Sequence, residues 1–230
     1  MLERLLVWER DAFFMLNGSD SPFLDHFMWI FSGKTVWLPL AVFVVVVLFY
    51  KRDWRDSLLV LLAIVLTVTI CDQFASHFCK PFFARMRPTY HPDFMDQVKV
   101  LFDYHGGKYG FISSHAANAF GFATFMALLL RDRFFSWTIF AWAILVSYSR
   151  IYLGVHFITD IIPGVLCGLL FGYLVYRLYE YARLRLFAGG PSLELASFPS
   201  KRRAWVISYA IWITILLIAI FNVPLASCLG

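Results

Sequence analysis

Residues 57–79 read SLLVLLAIVLTVTICDQFASHFC, 23 positions in which Asp72 is the one acidic side chain and no Lys or Arg occurs. A helix needs about 20 such residues to cross the hydrocarbon core of a bilayer, so this stretch is predicted to span a membrane. The same pattern recurs at Thr35–Tyr50, Ser114–Leu130, Phe134–Ser149, Phe157–Tyr179 and Trp205–Leu225. The expected fold is therefore all-α: a polytopic membrane helical bundle with six transmembrane helices. Ahead of it, MLERLLVWERDAFFMLNG mixes charge with apolar residues and lacks a small-residue cleavage site, which predicts an N-terminal amphipathic interfacial helix. One domain is expected over 1–230, with an interfacial segment at 1–33 and the bundle at 34–227. FAGGPSLELASFPS, 187–200, reads as a loop between the last two spans.

Composition agrees with a bilayer as solvent. Of the 230 residues, 60% are hydrophobic and 15% charged, and the mean hydropathy of +0.70 is foreign to soluble domains, about a quarter of whose residues are charged. The net charge of +5 falls between apolar segments and forms no continuous basic face, which argues against a nucleic-acid partner. Cys71, Cys79, Cys167 and Cys228 are scattered and form no CxxC pair, so neither a disulfide framework nor a zinc site is expected. With six spans, the segments 51–56, 131–133 and 177–203 share one face and carry 11 of the 20 Lys and Arg residues. The positive-inside tendency puts that face in the cytoplasm and the long 80–112 loop outside.

Three clusters on the outer face exceed what membrane packing requires. Lys80-PFFARM-Arg87-Pro88 sets two cations seven positions apart before a helix-stopping proline, a chain turning back to present charge to an anion. Ile112-Ser113-Ser114-His115 precedes the small-residue helix AANAFGFATF; a helix N-terminus suits a phosphate, although capping alone also accounts for the serines. In Ser149-Arg150-IYLGV-His156-FIT-Asp160, the His and Asp share a helical face, so the carboxylate can fix the imidazole tautomer. Such a pair could also ligate a metal, but no further ligand stands at metal-binding spacing nearby and the surrounding cations repel a metal, so a metal-free nucleophile pair is the preferred reading, with no cofactor expected. Asp72, inside a span, is expected to pair with a motif cation or to join Gln73 in a helix contact, and His105 to support the head group.

Together these clusters resemble, in order and spacing, the three signatures of the type 2 phosphatidic acid phosphatase family over about residues 23–185. The second departs from the family's Pro-Ser-Gly-His, with Ile112 for Pro and Ser114 for Gly. The resemblance implies that His156 attacks phosphorus and forms a phosphohistidine, that Asp160 orients and charges its ring, and that His115 protonates the leaving oxygen. Lys80, Arg87, Ser113, the Ser114 amide and Arg150 would hold the phosphoryl oxygens. The expected partners are a lipid phosphate and membrane lipids, with no nucleic acid and the oligomeric state open. The expected setting is a bacterial inner membrane, with the site at the periplasmic face. Undecaprenyl diphosphate or phosphatidylglycerophosphate is the favoured substrate, with lipid A as alternative; a non-catalytic lipid-binding or flipping protein is the reading from another class.

Overall fold

The computed structural model describes residues 2–93, 95–187 and 200–229, with side chains for 9–93, 95–187 and 200–222. Helix α1 runs Leu2–Leu16 and α2 Pro22–Ser32. A 3-10 turn at Thr35–Trp37 leads into α3, Leu38–Phe49. Helix α4, Trp54–Gln73, continues through a π-helical turn at Phe74–Cys79 into α5, Lys80–Phe83. After a long loop come α6, Ser114–Leu130, α7, Arg133–Tyr152, α8, Ile158–Leu186, and α9, Lys201–Leu229. Among the described residues the only β-type pairing is an isolated antiparallel bridge, Met86 with Tyr109.

Local chemistry sets these boundaries. Asp53 and Asp132 cap α4 and α7 by accepting from the amides of Arg55 and Phe135, and Ser113 caps α6 through Ala116. Arg131 turns the chain out of α6 with a left-handed φ of 50°. Four helical stretches are long and apolar enough to cross a bilayer: Trp54–Phe83, Arg133–Tyr152, Ile158–Leu186 and Lys201–Asn222. Their outward residues, among them Leu62, Val65, Leu166, Leu170 and Leu216, remain exposed, as lipid contact requires. The protein is an integral membrane helical bundle.

The first span is built differently from the expected Thr35–Tyr50 segment. α2 and the Thr35–Phe49 stretch form a pair bent by 69° that qualifies as one broken span, and α6, at 17 residues, is apolar but shorter than the rest. Thus α2, expected within the interfacial segment, buries Met28, Ile30 and Phe31 and packs on α7 and α9. The expected 187–200 loop lies mostly outside the described residues.

At the centre, α6 lies against α4, α7 and α8. Its buried Ala116, Ala117 and Gly121 meet Gly164, Gly168 and Gly172 of α8. A Cβ on Gly168 would stand 2.5 Å from the Ala117 carbonyl oxygen, so the two backbones approach as only small residues allow. One consequence is positional: the N-termini of α6 and α8 are locked side by side, and the Ser113 amide donates to the Asp160 carbonyl at 3.0 Å.

Candidate active site

Three segments converge on that locked pair of termini. The antiparallel bridge holds 85–87 beside 108–110, with Arg87 N donating to Lys108 O and Gly110 N to Arg85 O. Pairing these short runs fixes Arg87 above the start of α6. Arg87 then reaches Tyr109 O at 3.1 Å through Nε and Val155 O at 3.3 Å through Nη1. Arg150, at the end of α7, donates to Ser32 Oγ and, at 2.9 Å, to the Tyr104 hydroxyl. Lys80 Nζ lies 3.3 Å from Ser114 Oγ.

Lys80, Arg87 and Arg150 all act electrostatically on His156, yet among the described residues none has a carboxylate within ion-pair distance. Burial, reinforced by Arg150, pushes the Arg87 guanidinium down to about 10. A desolvated cation repelled by its neighbour gains most from an incoming anion. Three such cations around one point form a cradle for a phosphate.

His156 is fully buried in the turn between α7 and α8. Its Nδ1 faces Asp160 Oδ2 at 3.4 Å and the Gly110 backbone, while Nε2 has no hydrogen-bond partner among the described residues. Asp160 Oδ2 also accepts from Phe157 N at 3.0 Å, closing the first turn of α8. Burial, with Arg87, Arg150 and Lys80, holds the His156 ring well below the ordinary histidine value of 6.5, so it is neutral at pH 7. Gly110 sits so close that a Cβ there would lie 2.9 Å from Asp160 Oδ2. His115, in the first turn of α6, lines a cavity of about 290 Å³ with Arg150, Tyr104 and Lys34 at the α2–α3 break. A neutral imidazole with one nitrogen oriented by a carboxylate and the other without a hydrogen-bond partner among the described residues, amid three cations, has the chemistry of a nucleophile toward phosphorus.

The PAP2 superfamily model matches residues 58–184, more than half of the chain. The chain belongs to the PAP2 superfamily. A lipid A 4′-phosphatase of Porphyromonas gingivalis is 46% identical over 209 residues, 90% of this chain and 89% of that one. A lipid A 4′-phosphatase of Bacteroides thetaiotaomicron is 36% identical over 83% of this chain and 85% of its own length. The crystal structure of Aquifex aeolicus LpxE superposes with a TM-score of 0.55, at 28% identity, over 74% of this chain and 95% of the other. Like its PAP2 relatives, this protein is a membrane phosphatase acting on lipid phosphates.

Of the residues expected at the PAP2 site, the structure brings together Lys80, Arg87, Ser114, His115, Arg150, His156 and Asp160. Ser113 adjoins them, but its hydroxyl accepts from Ala116 N at 3.4 Å as a helix cap. Two expectations are corrected. Asp72 acts electrostatically on Lys80 but among the described residues has no cation at ion-pair distance; it accepts from Asn118 Nδ2 of α6 at 3.3 Å, and Gln73 is exposed. His105 turns outward to Asp103, 3.3 Å away, and its neighbour Tyr104 reaches Arg150 instead. Sequence reasoning missed Glu9, Ser32, Lys34 and Tyr104, which meet the motifs only through long-range packing, and left Arg85 without a role.

Proposed function

We propose that this enzyme removes the phosphate of lipid A through a phosphohistidine on His156. Nε2 attacks phosphorus in line as the bond to the leaving oxygen breaks, and His115 supplies the proton that oxygen needs. Lys80, Arg87, Arg150 and the first-turn amides of α6 hold the phosphoryl oxygens as charge develops on them. Asp160 balances the positive charge of the phosphorylated ring. Water then attacks the phosphoenzyme, releasing inorganic phosphate and the free histidine, with His115 taking up the water's proton. The observation that carries this reading is the open Nε2 of a buried, neutral His156 among three cations without carboxylate partners.

The choice of lipid rests on the relatives. Sequence motifs alone favoured undecaprenyl diphosphate or phosphatidylglycerophosphate, but two lipid A 4′-phosphatases align over most of the chain, and lipid A moves to first place. The cavity at the α2–α3 break supports a lipid that keeps its tails in the bilayer while its phosphate reaches Arg150. A location in the inner membrane with the site facing the periplasm accords with the basic loops at the opposite end. Cysteine labelling of intact cells at Gly107 but not Arg133 is the expected result, and the reverse pattern would move the reaction to the cytoplasm.

The deciding experiment is phosphate release by detergent-purified protein from lipid A, undecaprenyl diphosphate, phosphatidylglycerophosphate and phosphatidic acid, with His156→Ala alongside. Fastest turnover of lipid A, lost in the variant, is expected. Faster turnover of another lipid replaces the substrate. Binding without release by the unaltered protein would favour a flipping role.

A further inference from the structure

Beyond the phosphate cradle, four ionisable side chains form one buried row that begins on α1. Glu9, 6% exposed, accepts from Thr159 N at 2.6 Å, Thr159 Oγ1 at 2.7 Å and Arg85 Nη2 at 3.2 Å. Arg85, 7% exposed, lies over the Phe157 ring at 4.6 Å. Its Nη1 donates at 2.6 Å to both Thr159 Oγ1 and Asp160 Oδ1. The other Asp160 oxygen faces His156. Arg85 thus belongs not to the phosphate cradle but to the back of the nucleophile. Glu9 precedes residues 58–184, the part of the chain that the family model covers.

Charge counting shows what Glu9 adds. Arg85 and Asp160 alone are a neutral pair, and a neutral pair does little for a ring that becomes cationic on accepting a phosphoryl group. A second carboxylate on the far side of Arg85 makes the trio net negative, so Asp160 still presents negative charge to His156. That charge opposes Lys80, Arg87 and Arg150, all of which disfavour a cationic ring. Burial makes these terms large, because little water screens them. The Thr159 amide also places Glu9 at the N-terminus of α8, where a carboxylate is favoured.

We propose that Glu9 is a positioning residue of the phosphatase, holding Arg85 between two carboxylates so that Asp160 can stabilise His156 as it takes the phosphoryl group. α1 is on this account a working part of the active site. The proposal rests on the His156 reading above. Because Glu9 touches neither phosphate nor lipid, its removal acts on kcat and spares KM.

The test is steady-state kinetics of full-length protein with lipid A, or with whichever lipid of the panel is turned over fastest. Glu9→Gln keeps the length and an oxygen for Thr159 but removes the charge; kcat is expected to fall about 10- to 100-fold with KM within about two-fold. Arg10→Gln, altering the exposed neighbour whose contact is Gln97, is expected to leave both constants unchanged. In an Arg85→Gln background, Glu9→Gln is expected to cost less than two-fold, since Glu9 acts through Arg85. Unchanged kcat in Glu9→Gln, a loss confined to KM, or additive losses in the double variant would overturn the proposal. Should Glu9→Gln not fold, Arg85→Lys serves: one ammonium cannot fork between two carboxylates, and full activity there would overturn it. Full activity in His156→Ala defeats the underlying reading as well, whereas an inactive His156→Ala beside a fully active Glu9→Gln defeats only this inference.

Discussion

The two ends of the bundle use arginine in opposite ways. At the end holding the α3–α4 and α6–α7 turns, the buried Asp56 has its counterparts in Arg52 at 2.5 Å and Arg183 at 3.1 Å, and the more exposed Glu180 takes Arg131 at 3.0 Å. At the catalytic end Arg87 and Arg150, each under 10% exposed, contact carbonyls, hydroxyls and a ring and, among the described residues, have no carboxylate at ion-pair distance. Paired charges secure the ends of spans against one another; charges buried without partners are a cost that a ligand's anion offsets. Arg85, though in the first motif, follows the pattern of the far end, which is why its role differs from that of Arg87 two residues on.

The comparison can be broken by substitution. Arg150→Gln is expected to lower kcat/KM about 10³-fold with the melting temperature unchanged or raised, since a repelled cation has been removed. A lowered melting temperature would mean that Arg150 is structural, like the arginines of the far end. The mirror experiment is Asp56→Asn, expected to cost about 3 kcal/mol of stability by removing the buried carboxylate that Arg52 and Arg183 share. Activity per folded molecule should persist; loss of turnover at full stability would erase the distinction between the ends.

A ligand sharpens it. Vanadate or inorganic phosphate at about 100 times its dissociation constant is expected to stabilise the protein by about 2.7 kcal/mol, and Arg87→Gln to abolish the effect while Arg183→Gln preserves it. Thermal shifts read both. The pH profile follows from the same crowding of cations. His156 must be neutral to attack, and its value lies well below 6.5, so protonation removes the nucleophile only as pH falls through that depressed value. Protonation of His156 is expected not to limit activity just below pH 6.5, and on the alkaline side activity is expected to decline as His115, the leaving-group acid, and then Arg87, near 10, lose their protons. An acid limb centred at 6.5 would mean that the cations do not face the ring. The smallest effect is expected at the cavity's rim: exposed Lys34 lines it with His115 and Arg150, and Lys34→Gln should raise KM about two- to five-fold with kcat unchanged.

The sequence made the catalytic end partly readable. His156 and Asp160 stand four apart, although His156 precedes α8 instead of sharing a helical face with Asp160, and Lys80 and Arg87 flank a helix stop, so local geometry carries most of their meaning. Asp72 was harder, because a lone carboxylate in a span names no partner, and Asn118 lies 46 residues away. Ser113 illustrates a true ambiguity: the hydroxyl that could bind phosphate is the one that caps α6. Glu9 was illegible for a different reason. Its charge among apolar residues fits an interfacial helix equally well, and Arg85 and Thr159 come 76 and 150 residues later. The broken first span was hidden by Asp25 and His26, which interrupt the apolar run of α2 without preventing Met28, Ile30 and Phe31 from reaching the core.

That 150-residue separation between Glu9 and Thr159 has a consequence for biogenesis. The ribosome delivers the carboxylate 150 residues before its amide partner. Until the start of α8 emerges, Glu9 has no buried berth, and α1 must wait at the membrane surface with its charge in water. The active site can therefore form only once the start of α8 has emerged, and until then a nascent chain remains inert toward the lipids that surround it.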